Sequence, residues 1–228
     1  MFERVRWRDH LASLDWKQGE HIMIAAPTGS GKTTLAQDLV QRRGHVVTFA
    51  TKPHDPTLTR EFGDWYKVRE WADIEPYMNR VVIWPKPEKT AAAVIAKHKQ
   101  VFGEAFDKIL TSRGWAVLVD ETHYMSDRSF VGLYDSIALL HHVGRSSGIS
   151  MVTLTQRPAW VPKIIYSSVS HAYIARTRDA ADLKRLADLG GIDPKILAAE
   201  VSGLPTRFDY VYVNPTGDAP PVIVNRRR

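Results

Sequence analysis

The 228-residue chain has no cysteine, which removes disulfides and thiolate metal sites from consideration. It also lacks any apolar run near the roughly 20 residues that a membrane helix needs, so direct membrane insertion is not expected. The opening Met1-Phe-Glu-Arg-Val-Arg-Trp-Arg8 leads into no apolar segment of the secretory kind. Together these absences predict a protein that works in the cytoplasm. A Gly/Ser/Pro-rich linker, an internal repeat and a low-complexity tract are missing too. One domain over 1–228 is therefore predicted, with 1–18 as a lead-in and 208–228 as an edge hairpin and basic tail.

What remains is the composition of an ordinary globular protein, 44% hydrophobic and 25% charged. The net charge is +6, and Arg226-Arg227-Arg228 supplies three of those charges. Such a balance permits a polyanionic partner such as nucleic acid and serves solubility equally well. Motifs have to decide between them.

Runs rich in Val, Ile and aromatics recur at 21–25, 45–50, 80–84, 115–120, 150–155, 171–175 and 208–213, with helix-length segments between most of them. That alternation predicts an α/β fold, a mainly parallel sheet flanked by helices. Leu133, Ile137 and Leu140 repeat at helical spacing and predict a core-packing helix over 130–143. Strands at 208–213 and 222–224, joined by Asn214-Pro-Thr-Gly-Asp218, predict an antiparallel hairpin at the sheet's edge.

The chemistry concentrates in Ala26-Pro-Thr-Gly-Ser-Gly-Lys-Thr33, a Walker A loop whose first glycine is replaced by Ala26. Gly29 and Gly31 allow backbone N–H groups to turn toward phosphate, Lys32 reaches the β/γ-phosphates and Thr33 offers a hydroxyl to Mg²⁺. A strand precedes the loop and a helix from Thr34 follows, so the helix dipole favours an anion there. The predicted nucleotide-binding set is Pro27, Thr28, Gly29, Ser30, Gly31, Lys32, Thr33 and Thr34, with ATP and Mg²⁺ as cofactors. Trp115-Ala-Val-Leu-Val119 then ends in Asp120-Glu121, a Walker B strand. Asp120 is predicted to hold Mg²⁺, and Glu121 to orient or deprotonate the attacking water. Two adjacent acids favour hydrolysis over phosphoryl transfer to a small molecule. Gln156, at the tip of the strand predicted beside that one, is positioned to sense the γ-phosphate.

The order Gly-Ser-Gly-Lys-Thr33, Val-Asp-Glu121, Gly-Arg-x-x-Gly-Ile149 and Thr-Gln-Arg-Pro158 resembles the HerA–FtsK superfamily of DNA-pumping P-loop ATPases. Thr51-Lys-Pro53 looks like that family's lysine-bearing turn. The likeness covers about 19–178, and the compact length is most similar to genome-packaging ATPases of tailless or membrane-containing icosahedral viruses. It implies a RecA-like core working as a ring, usually a hexamer, that moves double-stranded DNA irrespective of sequence. It further implies a capsid or packaging-vertex partner, in the host cytoplasm and at the virion vertex. A neighbour's arginine would complete each site: Arg145 matches the family's position, with Arg176 and Arg178 as runners-up. Arg157 is read equally as a neighbour contact or a surface charge.

Other readings stay open: a nucleotide-dependent switch or small-molecule kinase sharing the loop, or a phage assembly or export ATPase. Lys86, Lys89, Lys97 and Lys99 are candidate DNA contacts or a solvated helix face. His123, His141 and His142 lack metal-ligand spacing. Trp65, Tyr66, Trp71 and Trp84 are read as packing or subunit contacts before base-stacking groups.

Overall fold

The computed structural model describes residues 2–217 and 219–227. Among them a ten-stranded sheet runs in the spatial order β1-β10-β9-β8-β2-β7-β6-β3-β5-β4. Its strands are β1 (Glu3–Arg6), β2 (Ile22–Ala25), β3 (His45–Phe49), β4 (Tyr66–Val68), β5 (Arg80–Ile83), β6 (Trp115–Val119), β7 (Ser150–Thr155), β8 (His171–Ala175), β9 (Asp209–Val213) and β10 (Val222–Asn225). Every pairing is parallel except those of β9 with β8 and β10. The helices are α1 (Trp7–Ser13), α2 (Lys32–Val40), α3 (Pro56–Glu61), α4 (Ala91–Thr111), α5 (Thr122–Ser126), α6 (Tyr134–Ser147), α7 (Lys163–Ser168), α8 (Ala180–Leu186) and α9 (Pro194–Gly203).

The central strands read as unbroken apolar runs because both of their faces are covered. Alternate residues divide between two cores. Met23, Val117, Val119 and Met151 face α4 and α6 through Phe102, Phe106, Ile137 and Leu140. Ile24, Leu118, Val152 and Leu154 face α2 through Leu35, Ala36 and Leu39. Fully burying one such side chain contributes about 1.5–3 kcal/mol, and a one-residue slip of any central strand would send each set of side chains to the other core and mispack both.

The predicted parallel sheet and C-terminal antiparallel pair are present, with three departures. The hairpin is not the edge: β1 lies outside β10 in parallel register, Glu3 opposite Val222 and Arg6 opposite Asn225. The lead-in therefore belongs to the sheet, tied by Arg4 to the buried carboxylate of Asp209 at 3.3 Å. The short strand β4 was not predicted either. The core helix starts at Tyr134 rather than 130, because Gly132 at φ +71° turns the chain while Leu133 N–H donates to the Met125 carbonyl at 2.8 Å. It runs on to Ser147, so Gly144 and Arg145 lie in its last turn. Asp218 of the predicted hairpin turn and Arg228 of the basic tail lie outside the described residues.

Below the central strands sits a group of buried histidines. Burial pushes the His10 imidazole down to about 4, with His171 and Arg42 adding to it. Burial likewise takes His21 to about 4, against a hydrogen bond to the His141 carbonyl and the charge of Glu20. His141 is held well below its ordinary value by burial, then by His21. These groups stay neutral in the fold while the unfolded chain takes up protons below about 6.5, so acid favours unfolding. Stability should be flat above pH 7 and fall as pH drops from 6.5 toward 4, by about 3 kcal/mol each for His10 and His21 at the lower limit. Urea midpoints measured across that range check this; a flat profile from pH 7 to pH 5 would contradict it.

Candidate functional site

The Walker A loop leaves the C-terminal end of β2. Ala26 N–H donates to the Thr155 carbonyl at 2.9 Å, extending the β2–β7 ladder by one residue. No described non-glycine residue has a positive φ, so Ala26 holds the motif's first position without needing glycine's freedom. Gly29 and Gly31 do need it, at φ +76° and +86°. Ser30 is tucked beneath them: its hydroxyl donates to the Pro27 carbonyl at 2.6 Å, and its carbonyl accepts from the Tyr210 hydroxyl at 3.0 Å. Strand β9 thus pins the loop from below. α2 begins at Lys32, two residues earlier than the sequence indicated, and Lys32 and Thr33 are largely buried.

Because β7 and β6 are the next parallel strands, their C-terminal ends open beside this loop. Thr33 Oγ1 donates to Asp120 Oδ1 at 3.1 Å. Thr28 Oγ1 donates to Gln156 Oε1 at 2.6 Å, and Gln156 Nε2 donates to Glu121 at 3.2 Å. A chain of hydrogen bonds therefore connects the loop to the second carboxylate through Gln156. From the end of β3, Lys52 Nζ reaches Glu121 Oε1 at 3.4 Å and Asp55 Oδ2 at 3.7 Å. Burial lowers the Lys52 ammonium, but Glu121, Asp55 and Asp120 outweigh it and leave it above its ordinary value. Burial raises the Asp120 carboxyl against the nearby charge of Lys32, with Glu121 raising it further.

These groups enclose a cavity of about 300 Å³ that Phe208 and Arg227 also line. Of the predicted nucleotide set, Thr28, Gly29, Gly31, Lys32, Thr33 and Thr34 face it. Pro27 and Ser30 do not, and act through the loop's internal hydrogen bonds. The site fits a triphosphate: a cationic loop with two left-handed glycines, and open space where a Gly31 side chain would stand. It fits Mg²⁺ equally, since Thr33 and Asp120 supply adjacent hard oxygens.

The arginines separate. Arg145 is exposed at the end of α6, where its carbonyl lies 2.8 Å from where a Cβ on Gly19 would be. It lines a different cavity, of about 560 Å³, with His10, Glu20, His171 and Asn214 at the N-terminal ends of β2 and β8. That is the opposite edge of the sheet, so Arg145 does not reach the site of its own chain. Arg176 donates to the Leu204 and Pro205 carbonyls, each at 3.3 Å. Arg178 is exposed beyond β8. Arg157 pairs within the chain, with Asp179 at 2.9 Å and Asp182 at 3.1 Å.

No cluster of metal-ligating side chains occurs among the described residues. His141 is buried against Ser168 Oγ at 2.9 Å, while the His123 ring lies tilted beside Trp160, 5.1 Å between centroids. Trp65 and Trp71 pack on Phe62 and Trp115. Among the contributors that escaped the sequence reading of the site are Lys52, noticed only as a turn, and Tyr210 and Phe208. A cation directly after the strand beside Walker B was the available signal for the first; the other two had none.

No family model matches the chain. The chain aligns over 210 residues, at 21% identity, with the DNA translocase FtsK of Halalkalibacterium halodurans, covering 81% of this chain and 26% of that protein. The chain thus spans about a quarter of the length of the curated relative it matches. Among solved structures, the DNA-packaging ATPase B204 of Sulfolobus turreted icosahedral virus superposes with a TM-score of 0.64 at 17% identity, covering 91% of this chain and 98% of that one. The genome-packaging NTPase B204 of Sulfolobus turreted icosahedral virus 2, in complex with ATP-γS, gives 0.61 at 15% identity over 90% and 95%. In fold and motif order the chain is similar to P-loop ATPases of the FtsK–HerA kind.

Two substitutions should separate binding from turnover here. Lys32→Ala should weaken a fluorescent ATP analogue at least tenfold by removing the charge on the phosphates. Gln156→Ala should leave that affinity within about threefold while cutting phosphate release roughly 10²-fold, since it frees Glu121 from its orienting partner. Equal losses of binding in both variants would contradict the division.

Proposed function

We propose that the chain is an ATP-hydrolysing motor that moves double-stranded DNA, its cargo a viral genome entering a capsid. The observation that carries its hydrolytic half is the hydrogen-bonded chain from Thr28 through Gln156 to Glu121, set beside the Thr33–Asp120 pair. One carboxylate is placed for a metal, and another is aimed by a residue that also touches the phosphate loop. Water activation suits such an arrangement better than transfer to a second substrate.

In this reading Lys32 and the loop N–H groups neutralise the β/γ-phosphates. Thr33 and Asp120 would hold Mg²⁺, which supplies charge neutralisation as the bond to the β-phosphate oxygen breaks. Glu121 takes a proton from the water whose oxygen attacks the γ-phosphorus, and Gln156 holds Glu121 in place. Lys52 stays ion-paired to Glu121 until then. Arg145 acts on the adjacent subunit's site, so the working form is a ring, and a hexamer suits the family resemblance. The similarity to a DNA translocase and to viral packaging ATPases supports duplex DNA as substrate and a capsid vertex as docking partner. No helix among the described residues is long and apolar enough to cross a membrane, which accords with a motor that travels from host cytoplasm to virion.

Mixed rings test the reading. Arg145→Ala and Glu121→Gln should each lower DNA-stimulated ATPase roughly 10³- to 10⁵-fold while binding ATP. Mixed in equal amounts, about a quarter of head-to-tail interfaces would join an intact Glu121 to an intact Arg145, so up to that fraction of the parent rate should return. Co-assembly without recovery would remove Arg145 from this role. A parent protein that ignores duplex DNA and phosphorylates a small molecule would be a kinase instead.

A further inference from the structure

Directly after β5, the half-buried Trp84 stands between two clefts on the same edge of the sheet as the nucleotide cavity. Its Nε1 donates to the Lys52 carbonyl at 3.1 Å, and its own carbonyl accepts from Arg69 at 2.9 Å. Lys67 Nζ lies 6.0 Å from the ring centroid. Lys52, Lys86 and Lys97 line one cleft, Lys67 and Arg69 the other, and Glu88 is the one acid among the described residues of either wall. Among the described residues, none of Lys67, Lys86 and Lys97 has a carboxylate within ion-pair distance. Pro53, Pro85 and Pro87 stiffen the loops that carry these cations, so little order has to be gained on binding. The side holding Lys67 and Arg69 is a hollow of about 290 Å³, whereas the Lys52 side is closed to about 10 Å³. The Nε1 hydrogen bond therefore ties the ring that borders the hollow to the Lys52 turn.

We propose that this face grips the phosphate backbone of duplex DNA around Trp84, and that Lys52 passes its occupancy to Glu121. The inference rests on the translocase reading above and names the surface that reading leaves unassigned. Unpaired cations on rigid loops neutralise backbone phosphates without reading bases, as a sequence-independent motor requires. Lys52 lines both the first cleft and the nucleotide cavity, carrying the Trp84 hydrogen bond on its carbonyl and the Glu121 ion pair on its ammonium. When DNA displaces the indole, the Lys52 turn moves and the ammonium leaves Glu121, freeing that carboxylate to take a proton from water. DNA-stimulated hydrolysis follows from one residue with two attachments.

The full chain is titrated with a short duplex of arbitrary sequence between about 50 and 200 mM salt, and its ATPase is measured with and without that duplex. Lys67→Ala/Lys86→Ala/Lys97→Ala should flatten the log–log salt dependence of affinity by about 2.7, at roughly 0.9 for each phosphate that is no longer neutralised. Arginine at the same three positions should restore it. Should the triple variant not fold, Lys86→Ala alone should lower the slope by about 0.9. Trp84→Phe keeps a ring but no N–H; it should bind duplex within about threefold of the parent while its ratio of stimulated to basal turnover falls toward one. A parent slope in the alanine variants overturns the surface, and undiminished stimulation in Trp84→Phe overturns the Lys52 link. Failure of the parent itself to bind duplex removes the translocase reading, and this surface with it.

Discussion

Parallel pairing of β2, β7, β6 and β3 is the constraint on which everything else here depends. Neighbouring parallel strands deliver their C-terminal ends to one edge, so the Walker A loop, Gln156, the Asp120–Glu121 pair and the Lys52 turn emerge side by side although 26 and 156 are far apart in sequence. Burial of both faces fixes the register, and register decides which side chains meet. Thr33 finds Asp120 at 3.1 Å because α2 starts directly after the loop and packs on the face that also buries Leu118. Had β6 slipped by one residue, Asp120 would point to the α4 side and the pair would be lost.

Charge balance explains why the site demands partners. Lys32 and Lys52 stand against Asp120 and Glu121, so the four groups come close to neutrality by themselves. A triphosphate added to them brings negative charge into a site where Asp120 is already hard to ionise through burial. Further cations must accompany it, and the cavity has places for them: the Thr33 and Asp120 oxygens would take a divalent ion, and Arg60 and Arg227 stand on its wall. Lys52 cannot serve fully, because its ammonium is committed to Glu121 and Asp55.

Local signals made most of the site legible. The glycines that require a left-handed backbone, the lysine and threonine after them, and an apolar strand ending in two acids each carry their meaning within ten residues. Gln156 was legible by strand position alone. What escaped depends on chain segments distant in sequence: β1 is charged and becomes a strand only because β10 offers an edge, and β4 is three residues long. Tyr210 reaches Ser30 across 180 positions, and nothing in either neighbourhood announces it. Helix α6 was misplaced by four residues because a single glycine turn outranked the apolar spacing, which Leu133 satisfies from just outside the helix.

Arg145 shows how topology constrains a role that a motif leaves undefined. A helix that precedes a parallel strand must end at the N-terminal edge of the sheet, and α6 precedes β7. Its terminal arginine was therefore bound to lie away from the nucleotide cavity of its own chain, whatever its side chain does. If it serves a nucleotide as proposed, that nucleotide sits on a neighbour, and the contact joins the N-terminal edge of one subunit to the C-terminal edge of the next. Two different surfaces meeting in this way cannot form a two-fold dimer; they generate either a closed ring or an open helix. Were the chain the proposed motor, only the closed form would enclose duplex DNA, and the angle at that contact would then fix the number of subunits.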